Sequence, residues 1–188
     1  MVNLHLQNLI MNLKGKNAIV TGGGRGLGKA VAMILAKEGV NVGITGRNEN
    51  YLKITANELK ATGVNVAYAV FSVDNELEVK AGIESLAHQL GGVDILVNNA
   101  GIGDFGSIEE MPSETWEQVI KTNLFGVYYV AKAVYPYLRE KGQGDIVNVA
   151  STAGLKGGPN MSAYAASKAA VVSLSQSMMA EWRKENIR

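Results

Sequence analysis

Tyr164 and Lys168 stand four residues apart in the segment Ser162-Ala163-Tyr164-Ala165-Ala166-Ser167-Lys168. On a helix that interval is about one turn, so phenol and ammonium share a face. An ammonium beside a phenol favours the phenolate and lowers a tyrosine pKa that is otherwise about 10. Such a pair suits proton transfer near neutral pH. A bare Y-x-x-x-K is also what a solvated polar helix face looks like. Its company gives it chemistry. Ser151 lies thirteen residues before Tyr164, just past the apolar run 146–150. A serine there serves as a turn or cap hydroxyl, or, at the carboxyl end of a parallel strand, as a ligand to whatever binds in the crevice.

The other candidate site opens the chain. Thr21-Gly22-Gly23-Gly24-Arg25-Gly26-Leu27-Gly28 follows the apolar triplet Ala18-Ile19-Val20 and precedes a helix-period segment. Between a strand and a helix, backbone N–H groups at the helix N-terminus can meet a pyrophosphate, and glycines allow close approach. The G-x-G-x-x-G fingerprint is absent, because Lys29 occupies its third position; the pattern is T-G-x-x-x-G-x-G on Thr21, Gly22, Gly26 and Gly28. A flexible turn is the plain alternative. The second strand ends Thr45-Gly46-Arg47. A carboxylate there would accept the ribose hydroxyls of NAD, whereas an arginine suits the 2′-phosphate of NADP. Arg47 and Arg25 could grip one phosphate through charge-assisted hydrogen bonds. Otherwise they are two solvated surface arginines.

Alternating strands and helices position these residues. Strands are expected over 18–20, 40–45, 64–71, 94–97 and 146–150. Helices are expected from Leu27 to the stop at Gly39, over 51–61, over 77–90, over about 113–140 and over about 163–184. Ser113 resembles a helix start, with the capping-box glutamate one place late at Glu117. Strict alternation means parallel strands joined by right-handed crossovers, so the fold class is α/β, a doubly wound parallel sheet. In the long fourth helix Trp116, Ile120, Asn123, Val127, Val130 and Val134 form one stripe. The amide of Asn123 on that buried stripe needs partners, catalytic or structural.

The chain has 188 residues, 47% hydrophobic and 19% charged, enough for one domain with a substantial core. A net charge of +1 gives no electrostatic case for nucleic acid or an anionic membrane as a general partner. Without cysteine there are no disulfides or thiolate metal sites. His5 and His88 lack metal-ligand spacing, so no metal site is expected. Residues 1–12 are apolar but short, with no basic leader and no span long enough for a bilayer. They read as an N-terminal extension, with a short helix face on Leu6, Leu9, Ile10 and the adjoining Leu13, or a true start at Met11. Residues 13–188 form the expected domain, and a cytoplasmic location is expected.

Together these motifs resemble the short-chain dehydrogenase/reductase family from about Leu13 onward. They stand as the glycine loop 21–28, Asn98-Asn99-Ala100-Gly101, Lys121-Thr122-Asn123, Ser151, and Tyr164 with Lys168. The 3-oxoacyl-acyl-carrier-protein reductases, which use NADPH, are closest in look. The resemblance implies cofactor contacts from Gly22, Gly24, Arg25, Gly26, Leu27, Gly28, Arg47, Ser72, Val73, Asn99, Ala100, Gly101, Tyr164 and Lys168. The family usually has an aspartate where this chain has Ser72, which leaves that side-chain contact open. It also implies a catalytic set of Asn123, Ser151, Tyr164 and Lys168, with Asn123 holding a water in a proton relay. Family members pair the long helix and the last helix across a two-fold axis. Tyr128, Tyr135, Met178, Met179 and Trp182 give that surface an aromatic and methionine bias typical of interfaces. A homodimer or homotetramer is therefore expected.

The expected activity is reduction of a small-molecule or carrier-bound ketone by NADPH. Alternatives are an NAD-dependent alcohol dehydrogenase, an epimerase or dehydratase on the related extended scaffold, and a silent nucleotide-binding fragment. Family members continue past the last helix with further strands, so the chain reads as C-terminally incomplete. Its fifth strand is then expected to be a bare sheet edge.

Overall fold

The structure, a computed structural model, describes residues 13–188. The expectations for residues 1–12 lie outside the described residues. Five parallel strands lie in the order β3-β2-β1-β4-β5. They are β1 (Asn17–Thr21), β2 (Asn41–Gly46), β3 (Val66–Val70), β4 (Ile95–Asn98) and β5 (Asp145–Asn148). The order reverses between β1 and β4, where parallel sheets of this kind open a crevice at the strands' carboxyl ends. Every residue of β1 is buried, as befits a strand covered on both faces. Alternate residues feed two cores. Ile19 and Leu96 pack with Phe71, Ile83, Leu86, Val130 and Leu138 on one side. Ala18, Val20 and Ile95 pack with Ile44, Leu52 and Leu59 on the other.

The helices are α1 (Gly26–Lys37), α2 (Glu49–Lys60), α3 (Glu76–Leu90), α4 (Ser113–Ile120), α5 (Gly126–Lys141) and α6 (Ser162–Trp182). Local chemistry sets their ends. The Asn48 side chain accepts from Tyr51 N at 3.1 Å and starts α2. Asn75 accepts from Leu77 N and Glu78 N and starts α3. Gly91, at φ 79°, closes α3 in the left-handed region.

The single long helix expected over 113–140 is corrected in two respects. Ser113 is the first helical residue rather than the cap; Pro112 precedes it and no side chain caps the start. The helix is also divided by a π-helical segment, Lys121–Phe125. A π turn takes up an extra residue, so a four-and-three stripe cannot continue through it. Upstream of the segment the buried residue is Val119, while Trp116 is 37% exposed. Downstream, Val127, Val130 and Val134 are buried as expected.

Two further expectations change. Of the five residues read as interface surface, Met178 belongs to the core. Tyr135 and Trp182 stack on each other with ring centroids 4.7 Å apart. Tyr128 and Met179 remain exposed, joined by Phe125. The start of β5's outer edge is not bare. Gly144 N donates to Asn186 O, Arg188 N to Gly144 O and Ile146 N to Arg188 O. Ile187 is buried against the first core, so apolar burial drives this pairing.

Candidate active site

A cavity of about 780 Å³ runs along the carboxyl ends of β1, β2, β3 and β4. Gly22, Gly24, Arg25, Gly26, Leu27 and Gly28 line it from the first loop. Arg47, Ser72 and Val73 line it beyond β2 and β3, and Asn99, Ala100 and Gly101 beyond β4. Close packing fixes the first loop. Gly22 has φ 66°, a conformation glycine adopts without strain. A Cβ at Gly28 would collide with the Gly22 carbonyl and the Asn99 amide. Arg25 precedes α1 without a side-chain cap, and the first turn holds no acidic residue. The N–H groups of that turn thus face the cavity unneutralised by the chain, as an anion site requires.

The loop after β4 is bolted to the loop after β1 through Thr21. Its buried hydroxyl accepts from Asn99 N at 3.0 Å and Ala100 N at 2.9 Å. The Asn99 amide in turn donates to Thr21 O at 2.9 Å. The two arginines sit at the far end. The Arg25 guanidinium lies 5.7 Å from the centre of the Tyr51 ring. Asp74 lies close enough for Arg47 to act on it. Burial alone would raise the Asp74 carboxyl, but hydrogen bonds from Ser72 and Gln118, helped by Arg47, bring it below its ordinary value. Gln118 reaches Asp74 from α4 at 2.5 Å and also donates to Thr122 Oγ1 at 3.0 Å.

The predicted catalytic residues gather past the Gly101 end of the cavity. A Cβ at Gly101 would stand 3.2 Å from Asn123 Oδ1 and 3.6 Å from Lys168 Nζ. Asn123 lies in the π segment and is fully buried. Its Oδ1 accepts from Ile102 N at 2.8 Å, and its Nδ2 donates to Ile102 O and Ser167 Oγ. The side chain thus clamps the backbone of the β4–α4 loop. Lys168 is buried and donates to Val149 O at 2.7 Å. Burial pushes its ammonium below its ordinary value. Its Nζ lies 5.8 Å from the Tyr164 ring centre, so ammonium and phenol share a face as the spacing requires. The Ser151 hydroxyl accepts from Ala153 N at 3.2 Å and caps a short 3₁₀ turn, Thr152–Gly154. That turn packs on α6, where a Cβ at Gly154 would be 2.7 Å from the Lys168 carbonyl carbon. Phe105, from the β4–α4 loop, completes the surroundings with its ring centre 5.9 Å from that of Tyr164.

The profile of the short chain dehydrogenase family matches residues 16–188. The chain is also 38% identical over 184 residues to the 3-oxoacyl-acyl-carrier-protein reductase FabG of Chlamydia muridarum, covering 97% of this chain and 73% of the relative. The chain belongs to the short chain dehydrogenase family. It is accordingly an oxidoreductase of that type, a type that binds a nicotinamide cofactor. Among solved structures of the family, an NAD+-bound xylitol dehydrogenase matches with TM-score 0.91 and 35% identity, over 94% of this chain and 68% of that one. A gluconate 5-dehydrogenase from Burkholderia cenocepacia, in complex with NADP and tartrate, matches with TM-score 0.89 and 34% identity, over 94% and 70%.

Several lining residues escape a reading of the family's motifs: Asn48, Tyr51, Leu52, Phe71 and Ile102. Tyr51 had a signal, an aromatic 45% exposed in the first turn of an amphipathic helix directly after Arg47. Asp74 had one too, as the acid two places beyond Ser72, where the family carries its aspartate. Among the described residues no group of three or more His, Cys, Asp or Glu side chains could hold a metal ion.

Proposed function

We propose that this chain is an NADPH-dependent carbonyl reductase that converts a ketone to the alcohol. One observation carries the reading. A single groove has two arginines, Arg25 and Arg47, lining one part, and Tyr164 with Lys168 just past Gly101. NADP(H) fits the groove on the uncapped first turn of α1, the close glycine packing at Gly28 and the lack of a carboxylate at Gly46. Gly22, Gly24, Gly26, Leu27 and Gly28 would hold the pyrophosphate, and Arg25 and Arg47 the 2′-phosphate. Ser72 and Val73 would face the adenine, and Asn99, Ala100 and Gly101 the ribose and nicotinamide. When bound, the nicotinamide supplies the hydride chemistry.

The chain's own residues handle the proton and the charge. The Tyr164 hydroxyl gives its proton to the ketone oxygen as general acid. The Lys168 ammonium, on the same helix face, favours the tyrosinate left behind. The Ser151 hydroxyl donates to the same oxygen, where negative charge develops. Asn123 fixes the loop that carries Gly101 and Ile102, and supports a water that returns a proton to the site. The likeness to FabG supports a 3-oxoacyl thioester or similar ketone, small or carrier-bound, as substrate. The reading includes a homodimer or homotetramer through the helices over 113–140 and 163–184, and a cytoplasmic location. It has no nucleic-acid or membrane partner. Among the described residues no helix is long and apolar enough to cross a membrane.

A second reading has support of its own. The likeness to xylitol and gluconate dehydrogenases favours an alcohol dehydrogenase running in the oxidative direction. A panel of ketones with NADPH, run beside alcohols with NADP+ and NAD+, separates the two. Arg47→Ala is expected to weaken NADPH by roughly tenfold to a hundredfold, the scale of a lost charged hydrogen bond, and to leave NADH nearly unchanged. Equal affinity of the unmutated protein for both cofactors would overturn the NADPH assignment. Tight NADPH binding without turnover of any ketone or alcohol would leave a silent binder.

A further inference from the structure

The loop between β4 and α4 is locked at its start and open after it. Thr21 and Asn123 pin residues 99–102, whereas Gly103, Asp104 and Phe105 are exposed. Phe105 is 62% exposed, so most of its ring gains nothing from the chain's own packing. The ring is nevertheless placed. It meets the Tyr164 ring at a centroid distance of 5.9 Å and a tilt of 57°, a favourable aromatic pairing. Its backbone is tied across the site mouth, where Gly106 N donates to Asn160 O at 2.9 Å, just ahead of α6. Asn160 holds a left-handed φ of 59°, which fixes the turn that receives this bond. One side of the Phe105 ring is thus set against the proton donor and the other is free. A residue that only braced Tyr164 would bury both.

The neighbouring loop is poor in neutral and cationic polar side chains. Residues 102–111 contain no amide, guanidinium or imidazole side chain. The Ser107 hydroxyl is occupied by Glu110 at 3.0 Å, and Ile108 is 74% exposed. Recognition of a polyhydroxylated ketone needs several converging donors and acceptors. This loop offers only carboxylates beyond the Ser107 hydroxyl, Asp104, Glu109 and Glu110, all exposed, and their negative charge disfavours a sugar acid. Resting on the reductase reading above, we propose that Phe105 is the specificity wall of the site: it takes an aryl or alkyl substituent of the ketone against its free face and so selects apolar ketones over polyhydroxylated ones.

The test compares wild type, Phe105→Ala and Phe105→Leu on an aryl-substituted 3-oxo ester and on a polyhydroxylated keto acid, with NADPH. For Phe105→Ala the KM of the aryl substrate should rise about fivefold to tenfold, the scale of one lost aromatic contact. Its kcat should stay within about twofold, because the proton donor is untouched. The keto acid should be unaffected, Phe105→Leu should recover part of the loss, and NADPH affinity should hold in all three proteins. A fall in kcat shared by both substrates, with their ratio unchanged, would show that the ring merely braces Tyr164 and would overturn the proposal. If neither ketone is reduced, the reductase reading fails separately, and binding decides this one. Calorimetric titration of the NADPH-loaded protein with benzylacetone should then show an affinity that Phe105→Ala lowers by a similar factor. No binding, or equal binding by both proteins, overturns it.

Discussion

An ammonium only 5% exposed and held by one carbonyl at 2.7 Å is costly to keep charged, and Lys168 is such a group. Burial lowers its pKa from an ordinary 10.5. As pH rises, the folded protein therefore releases this proton before the unfolded chain does. Below the folded pKa the whole burial cost is present; between that value and 10.5 the unfolded chain holds the extra proton, so stability climbs with pH. Lys168→Met should lack this climb. Urea unfolding of both proteins between neutral pH and about 10.5 should show wild type gaining on the variant; a constant difference would contradict the argument. At the same scale, Tyr164→Phe removes a proton donor and little else. It should lose most of kcat in single-turnover reduction while NADPH affinity is kept. Turnover near wild type would take Tyr164 out of the reaction.

Elements explain both what could be read from the sequence and what could not. β1, β4 and the helices α1 to α3 were legible because strands covered on both faces are continuous apolar runs, and because Gly39 and Gly91 end helices where helical spacing stops. The cavity-lining glycines and arginines were legible from pattern alone. The π segment was not, since Lys-Thr-Asn-Leu-Phe continues the helical periodicity in composition and only the hydrogen bonding differs. Pro112 displaced Ser113 from the cap position: at φ −59° and ψ 138° it is extended and stands just outside the helix, and it has no side-chain oxygen to cap the turn. Thr21 was legible as part of a motif but not as a bolt, because its partners Asn99 and Ala100 are far along the chain. The junction of Gly28 with the Gly22 carbonyl and the Asn99 amide is tight. Gly28→Ala should cost about 1–3 kcal/mol, as overpacking does, and should weaken NADPH binding together with stability. Thermal unfolding and cofactor titration of one sample check this, and loss of only one of the two would separate loop packing from the anion site.

At the scale of the molecule, Phe125, Tyr128 and Met179 are 43%, 44% and 58% exposed on the helices expected to meet another copy. Such residues are enriched at interfaces, and a two-fold axis brings one patch onto itself. Light scattering at micromolar concentration should give at least a dimer, with Tyr128→Glu shifting it towards monomer; a monomeric wild type would refute the interface. The surplus residue of the π turn reaches across the same scale. It puts α4 and α5 out of phase by about 100°, so one uninterrupted backbone belongs to two packing layers. α4 lies against α6, beside the chemistry, and α5 lies against α3 and β4, in the structural core. Deleting Leu124 would restore a continuous helix and force a choice between those layers. Hydrogen exchange should then show protection lost from α4 or from α5 but kept in the other, whereas uniform loss would mean that the two layers stand or fall together.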